Sequence, residues 1–125
     1  MNDVEALYQE EILENYKNPK NFGSIKNSDA HAKEDNPFCG DEIEIFLKIS
    51  KGKVSDVKFQ GKGCAISQAS ASFLTEHIKG KTVAQLKAMK EDDILKLVKV
   101  NLSIVRMKCG LLPFWALRKA IEQIK

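Results

Sequence analysis

The spacing of apolar residues changes period along the chain, and that change limits the folds open to it. Ile43, Ile45, Leu47 and Ile49 alternate with Glu42, Glu44, Phe46 and Lys48, the period of two expected of a half-buried strand. Ser50-Lys51-Gly52-Lys53 reads as a turn. Val54 to Gln60, with Val57 and Phe59 in phase, reads as a second strand, so the pair predicts an antiparallel hairpin. Past Gly61-Lys62-Gly63 the period becomes helical through Ile66, Ala69, Ser70, Phe73, Leu74 and His77, and Gly80 stops it. Thr82-Val83-Ala84-Gln85 has capping-box spacing and opens a short helix through Met89. Asp92 or Asp93 opens another through Val98. Phe114, Leu117, Ala120, Ile121 and Ile124 form the stripe of a last helix. It is placed to start near Cys109 to Pro113, because proline suits a first turn.

At the other end Val4, Leu7, Tyr8, Ile12 and Tyr16 recur at helical spacing until Asn18-Pro19 and Gly23, a helix of about four turns. The polar stretch from Gly23 to Asn36 has room for a short edge strand. The expected class is α+β, with a small antiparallel sheet of about three strands packed by helices on one face. At 125 residues the chain reads as a single domain, 1–125, large enough to bury a core without disulfides.

The net charge of +3 arises from 20 basic and 17 acidic residues spread along the chain. No dense basic block or aromatic-interleaved stripe argues for nucleic acid. No apolar run approaches the roughly 18 residues needed to span a bilayer. Met1-Asn2-Asp3-Val4-Glu5 lacks the features of a secretory signal, so no membrane and a cytoplasmic location are expected.

The three cysteines lie 25 and then 45 residues apart, in Asn36-Pro37-Phe38-Cys39-Gly40-Asp41, Gly61-Lys62-Gly63-Cys64-Ala65-Ile66-Ser67 and Arg106-Met107-Lys108-Cys109-Gly110. Such spacings are too long for a zinc-finger knuckle, so the cysteines meet only through the fold. A lone cysteine usually behaves as a small buried hydrophobe. Three that each adjoin glycine at an element boundary point instead to a metal or to sulfur chemistry. An odd number leaves one thiol outside any disulfide framework, and a reducing compartment keeps all three as thiols. Residues two apart on an extended segment point the same way, so Cys39 and Asp41 project together, in phase with Ile43, Ile45 and Leu47. Cys64 and Cys109 are each placed just ahead of a helix, where the dipole suits a thiolate. His77, 13 residues beyond Cys64 and about 20 Å along one helix, reads as a core or groove histidine, and His31 as a surface one.

On these motifs the chain resembles the U-type iron–sulfur scaffold family of IscU, SufU and the N-terminal domain of NifU. Tyr16-Lys17-Asn18-Pro19-Lys20-Asn21-Phe22-Gly23, Asn36-Pro37-x-Cys39-Gly40-Asp41, Gly61-x-Gly63-Cys64-x-Ile66-Ser67-x-Ala69-Ser70 and Thr75-Glu76-His77-Ile78-Lys79-Gly80-Lys81 follow its order. IscU-like members carry histidine immediately before the third cysteine. Here Lys108 stands there, and Arg106-x-Lys108-Cys109 followed by Leu112-Pro113-Phe114-Trp115 is similar to SufU. The segment between the second and third cysteines, however, is too short for the SufU insertion. The chaperone-recognition segment of IscU is replaced by Leu97-Val98-Lys99-Val100.

The resemblance implies a scaffold that receives sulfur from a cysteine desulfurase, together with iron. It implies a transient 2Fe–2S cluster built on Cys39, Cys64 and Cys109 with Asp41, then passed to recipient apoproteins. Cys109 and Cys39 are the candidate persulfide acceptors, and Cys39, Asp41, Cys64 and Cys109 the metal ligands. Frataxin-like or chaperone partners and a monomer or weak homodimer are further expectations. The alternative is a zinc-dependent sulfurtransferase of the SufU kind holding zinc on the same residues. A structural zinc domain is a third reading. The scaffold role is non-enzymatic, whereas the SufU role carries sulfurtransferase activity.

Overall fold

The computed structural model describes residues 3–37, 40–98, 102 and 104–124, with side chains placed from residue 9 in the first helix and from residue 106 in the last. Helix α1 (Asp3–Lys17) leads into strands β1 (Ala30–Asn36), β2 (Asp41–Ser50) and β3 (Lys53–Lys62). Helices α2 (Ala65–Ile78), α3 (Val83–Ala88), α4 (Glu91–Val98) and α5 (Ile104–Ile121) follow. The strands form one antiparallel sheet in the order β1-β2-β3, the α+β arrangement expected from the change of period.

Between β2 and β3, Ser50 pairs with Lys53 around Lys51 (φ 54°) and Gly52 (φ 76°). Two consecutive positive φ angles give the turn whose twist matches antiparallel strands. Ile43, Ile45 and Leu47 are fully buried, but a bulge between Lys48 and Ile49 shifts the register. Ile49 is consequently only half-buried, because a bulge re-aims the side chains beyond it. On the other face Phe46 is covered by the His31 ring, stacked at 5.9 Å from the paired position on β1.

The apolar side of the sheet is closed by α2 and α5. Ala71, Leu74 and Ile78 from α2 and Leu112, Phe114, Leu117 and Ala120 from α5 meet Ile45, Leu47, Val57 and Phe59 in one core. The opposite side carries charge, with Glu42 between Lys33 and Lys62. Ile12 seats α1 in a smaller apolar cluster with Ala69 and Val98. The segment after α1 is tied down at several points. Lys20 donates its backbone N–H to Ser72 Oγ (2.9 Å), and Asn21 Nδ2 donates to Thr75 Oγ1 (3.1 Å). The Phe59 N–H reaches the Asn21 carbonyl, and the Gly23 N–H reaches the Phe59 carbonyl. At the far edge Gln123 donates through Nε2 to the His31 carbonyl at 2.6 Å and accepts the His31 N–H through Oε1 at 3.2 Å.

The capping box at Thr82 is present, with Thr82 Oγ1 accepting the Gln85 N–H and Gln85 Oε1 accepting the Thr82 N–H. α4 opens at Glu91, slightly earlier than the aspartates suggest, because Asp93 reaches back to accept the Lys90 N–H at 2.8 Å. α5 departs most from expectation. It begins at Ile104 and carries Pro113 in its interior, so Cys109 is inside the helix and not ahead of it. Burial of Cys109, Leu111 and Leu112 against the rest of the core outweighs the one helical bond that proline deletes.

Thr82→Ala should remove about 1 kcal/mol of stability through loss of the cap. Thermal unfolding followed by circular dichroism should show the midpoint falling by about 4 °C.

Candidate metal centre

Antiparallel pairing of Asn36 with Asp41 closes the β1–β2 connection, and the Gly40 N–H returns to the Asn36 carbonyl at 2.9 Å. The connection, residues 37–40, therefore joins β1 to β2 at one end of the sheet. Gly40 takes φ 73° within it, a conformation glycine adopts without penalty. Cys39 belongs to this loop and lies outside the described residues, as does Phe38.

Asp41 opens β2 on the same side as Ile43, Ile45 and Leu47, and is 1% exposed. A carboxylate withdrawn from water must be compensated by hydrogen bonds. It accepts the Cys64 N–H at Oδ1 (2.9 Å) and the Cys64 thiol at Oδ2 (3.3 Å). Cys64 is the N-cap of α2, with φ −73° and ψ 166°, and its side chain caps no helical N–H. The thiol instead turns to Asp41. Gly63 makes this approach possible, because a Cβ there would collide with the Asp41 side chain, and its φ of +144° further favours glycine. Ser67 donates Oγ to the Cys64 carbonyl at 3.1 Å and lies 3.9 Å from its sulfur.

Cys109 reaches the same place from α5. One oxygen of Asp41 and the sulfurs of Cys64 and Cys109 all lie within 4.8 Å of one another. In tetrahedral zinc, bonds of about 2.3 Å hold two sulfurs roughly 3.8 Å apart, so contraction by about an ångström would bring these donors onto an ion. Two soft thiols and a hard carboxylate, mostly buried, fit zinc or an iron of a cluster. Asp41 and Cys109 are buried and Cys64 is half-buried. Arg106 and Lys108 are exposed on the first turns of α5.

Three of the four residues expected to form the site, Asp41, Cys64 and Cys109, thus converge, and the fourth, Cys39, lies outside the described residues. For Cys109 the expected helix N-terminus is absent, so no dipole acts at its sulfur as it does at Cys64. His77 is exposed near the far end of α2, in a groove with Lys20 and Glu76. Partial burial and then Lys81 hold its imidazole below the usual range. His31 is exposed. Neither histidine joins the group of donors. Gly63, Ser67 and Ser70 stand in the motif around Cys64, and Ser70 keeps the helical phase of α2, but neither signal shows which groups they contact.

A three-stranded sheet backed by helices thus gathers two thiols and a buried carboxylate into one group able to hold a metal ion. The model of the NifU-like N-terminal domain matches residues 7–125, and the chain belongs to that family. It is 35% identical to the zinc-dependent sulfurtransferase SufU of Bacillus subtilis, over 97% of this chain and 93% of that one. It is 33% identical to the iron–sulfur cluster assembly scaffold protein IscU of Escherichia coli, over 94% of each. A crystal structure from Fervidobacterium islandicum AW-1, of a candidate iron–sulfur cluster assembly scaffold for the SUF system, superposes with a TM-score of 0.78. It shares 33% identity and covers 93% of this chain and 97% of that one.

Gly63→Ala should force the Asp41 carboxylate away from Cys64. Zinc affinity, measured by competition with a chromogenic chelator, should fall at least about tenfold, the scale seen when a ligand's support is removed.

Proposed function

We propose that this chain is a scaffold on which an iron–sulfur cluster is assembled and from which it is passed to apoproteins. The cluster is cargo held by Cys39, Cys64 and Cys109 with Asp41. The observation that carries this reading is the buried Asp41 carboxylate among thiols, hydrogen-bonded to one of them. Clusters are usually held by four thiolates, and a carboxylate is a harder and weaker partner for their irons. Such a ligand suits a 2Fe–2S cluster that must leave. Among the described residues no helix is long and apolar enough to cross a membrane. A cytoplasmic monomer or weak homodimer is the form this reading expects.

Sulfur arrives from a cysteine desulfurase as a persulfide. A thiolate of the scaffold attacks the outer sulfur, and the desulfurase cysteine leaves as thiolate. Cys39 and Cys109 are the acceptors inferred from sequence. Cys109 is 3% exposed, so it accepts sulfur only once its surroundings open. Recipient apoproteins, and frataxin-like or chaperone partners, complete the expected set.

A second reading, a zinc-dependent sulfurtransferase, is favoured by Lys108 preceding Cys109, where an ammonium cannot ligate. The same Cys39, Asp41, Cys64 and Cys109 would then hold the ion. Zinc would keep its thiols ionised and poised for sulfur, while Asp41 orients Cys64 through the two contacts described above. Metal content and absorbance, before and after anaerobic reconstitution with iron and sulfide, distinguish the two. A red-brown cluster supports the scaffold, and stoichiometric zinc that resists replacement supports the sulfurtransferase.

Changing any of Cys39, Cys64 or Cys109 to Ser should abolish tight metal binding. Chelation should leave most of the helical circular dichroism, because the core of Ile45, Leu74, Phe114 and Leu117 contains no metal ligand. Complete loss of helix would identify a structural zinc domain instead. Asp41→Ala should slow cluster transfer to an acceptor protein and lower zinc affinity at least about tenfold. Transfer and affinity indistinguishable from those of the unmodified chain would remove Asp41 from the site.

A further inference from the structure

Ile66 and Ser70 stand one turn apart on α2, and Gly110 of α5 meets both. The Ser70 hydroxyl, 1% exposed, donates to the Gly110 carbonyl at 2.6 Å. A Cβ on Gly110 would lie 3.0 Å from Leu102 Cδ1 and 3.8 Å from Ile66 Cγ2, so a bare backbone is what fits there. Pro113, inside α5, has no N–H for the carbonyl of Cys109 four residues back, and its ring crowds that carbonyl. The Ser70 bond reaches the turn of α5 that carries Cys109 from outside the helix, one residue along.

We infer that Ser70 is a positioning residue, whose hydroxyl fastens the Cys109–Gly110 turn of α5 to α2 and sets the Cys109 sulfur opposite Cys64 and Asp41. Cys64 is the N-cap of the same helix, about 9 Å from Ser70 along its axis. One helix thus carries a thiol of the centre at its start and the anchor for another thiol further along. The importance of this arrangement rests on the metal-centre reading above, but the geometry does not.

The test uses the full chain with Cys39→Ser, so that Cys64 and Cys109 are the only thiols. In a glutathione redox buffer these two are oxidised to a disulfide as one oxidised glutathione is reduced to two thiols. The equilibrium reports the effective concentration of one sulfur at the other. Ser70→Thr and Ser70→Val differ by a hydroxyl at equal size, so comparing them separates the hydrogen bond from any steric disturbance. The Thr variant should hold the effective concentration at least about fivefold above the Val variant, the scale of one buried hydrogen bond, and Ser70→Ala should fall likewise. Equal values for Thr and Val, or no change in Ser70→Ala, would overturn the assignment. Zinc affinity of the three-cysteine chain should follow the same order. A chain that takes up neither zinc nor a cluster, yet whose disulfide equilibrium follows the hydroxyl, removes the metal reading and leaves the role of Ser70 standing.

Discussion

The Asp41 carboxylate is withdrawn from solvent at the first residue of β2, and it receives both the backbone N–H and the thiol of Cys64. An ion held there without partners would cost several kcal/mol, so the surroundings must be built to supply them. That demand accounts for much of the local structure. Gly63 is bare so that the carboxylate can approach. Cys64 occupies the N-cap of α2, where an N–H with no helical partner is available. Cys109 arrives from α5 within reach of the same carboxylate. The strand and two helices are all registered on one side chain.

The sheet divides its labour between its faces. The helix-covered side is dry and supplies the cohesion, with Ile43, Ile45, Leu47, Val57 and Phe59 removed from water. The other side has Glu42 between Lys33 and Lys62, whose hydrogen bond and charge keep its carboxyl below the usual range, the Lys33 bond most of all. These groups are open to solvent, so they define solubility more than stability. The donors gathered around Asp41 sit at the boundary of the dry core. A centre placed there has a rigid floor and an approach from solvent through half-buried Cys64.

Much of the architecture was legible because it rests on period and punctuation. The alternation from Ile43 to Leu47, the turn at Lys51-Gly52 and the Thr82–Gln85 cap all act over a few residues, and each formed as read. The phase of Cys39 and Asp41 with Ile43 placed the carboxylate on the buried side, as found. The start of α5 was not legible, since Pro113 is a local signal for a helix beginning and the packing of Cys109, Leu111 and Leu112 is not local. The bulge that turns Ile49 aside leaves no mark in the alternation. His77 follows Leu74 at near-helical spacing, yet Ile78 takes the buried position beside it and His77 is left exposed. Ser70 and Gly110 are 40 residues apart, and no spacing rule joins them.

The side-chain amide of Gln123 occupies both main-chain groups of His31, much as an added strand would. Segment 21–23 sits against β3 on the opposite edge of the sheet. A three-stranded sheet in a concentrated solution of its own copies is otherwise an open template for edge-to-edge growth. Here one border is sealed by a residue just beyond the last helix, and the other by the stretch just after the first. The two terminal regions of the chain thus act as selvedges. Trimming the chain before Gln123 would remove a seal from the sheet as well as a tail from the helix.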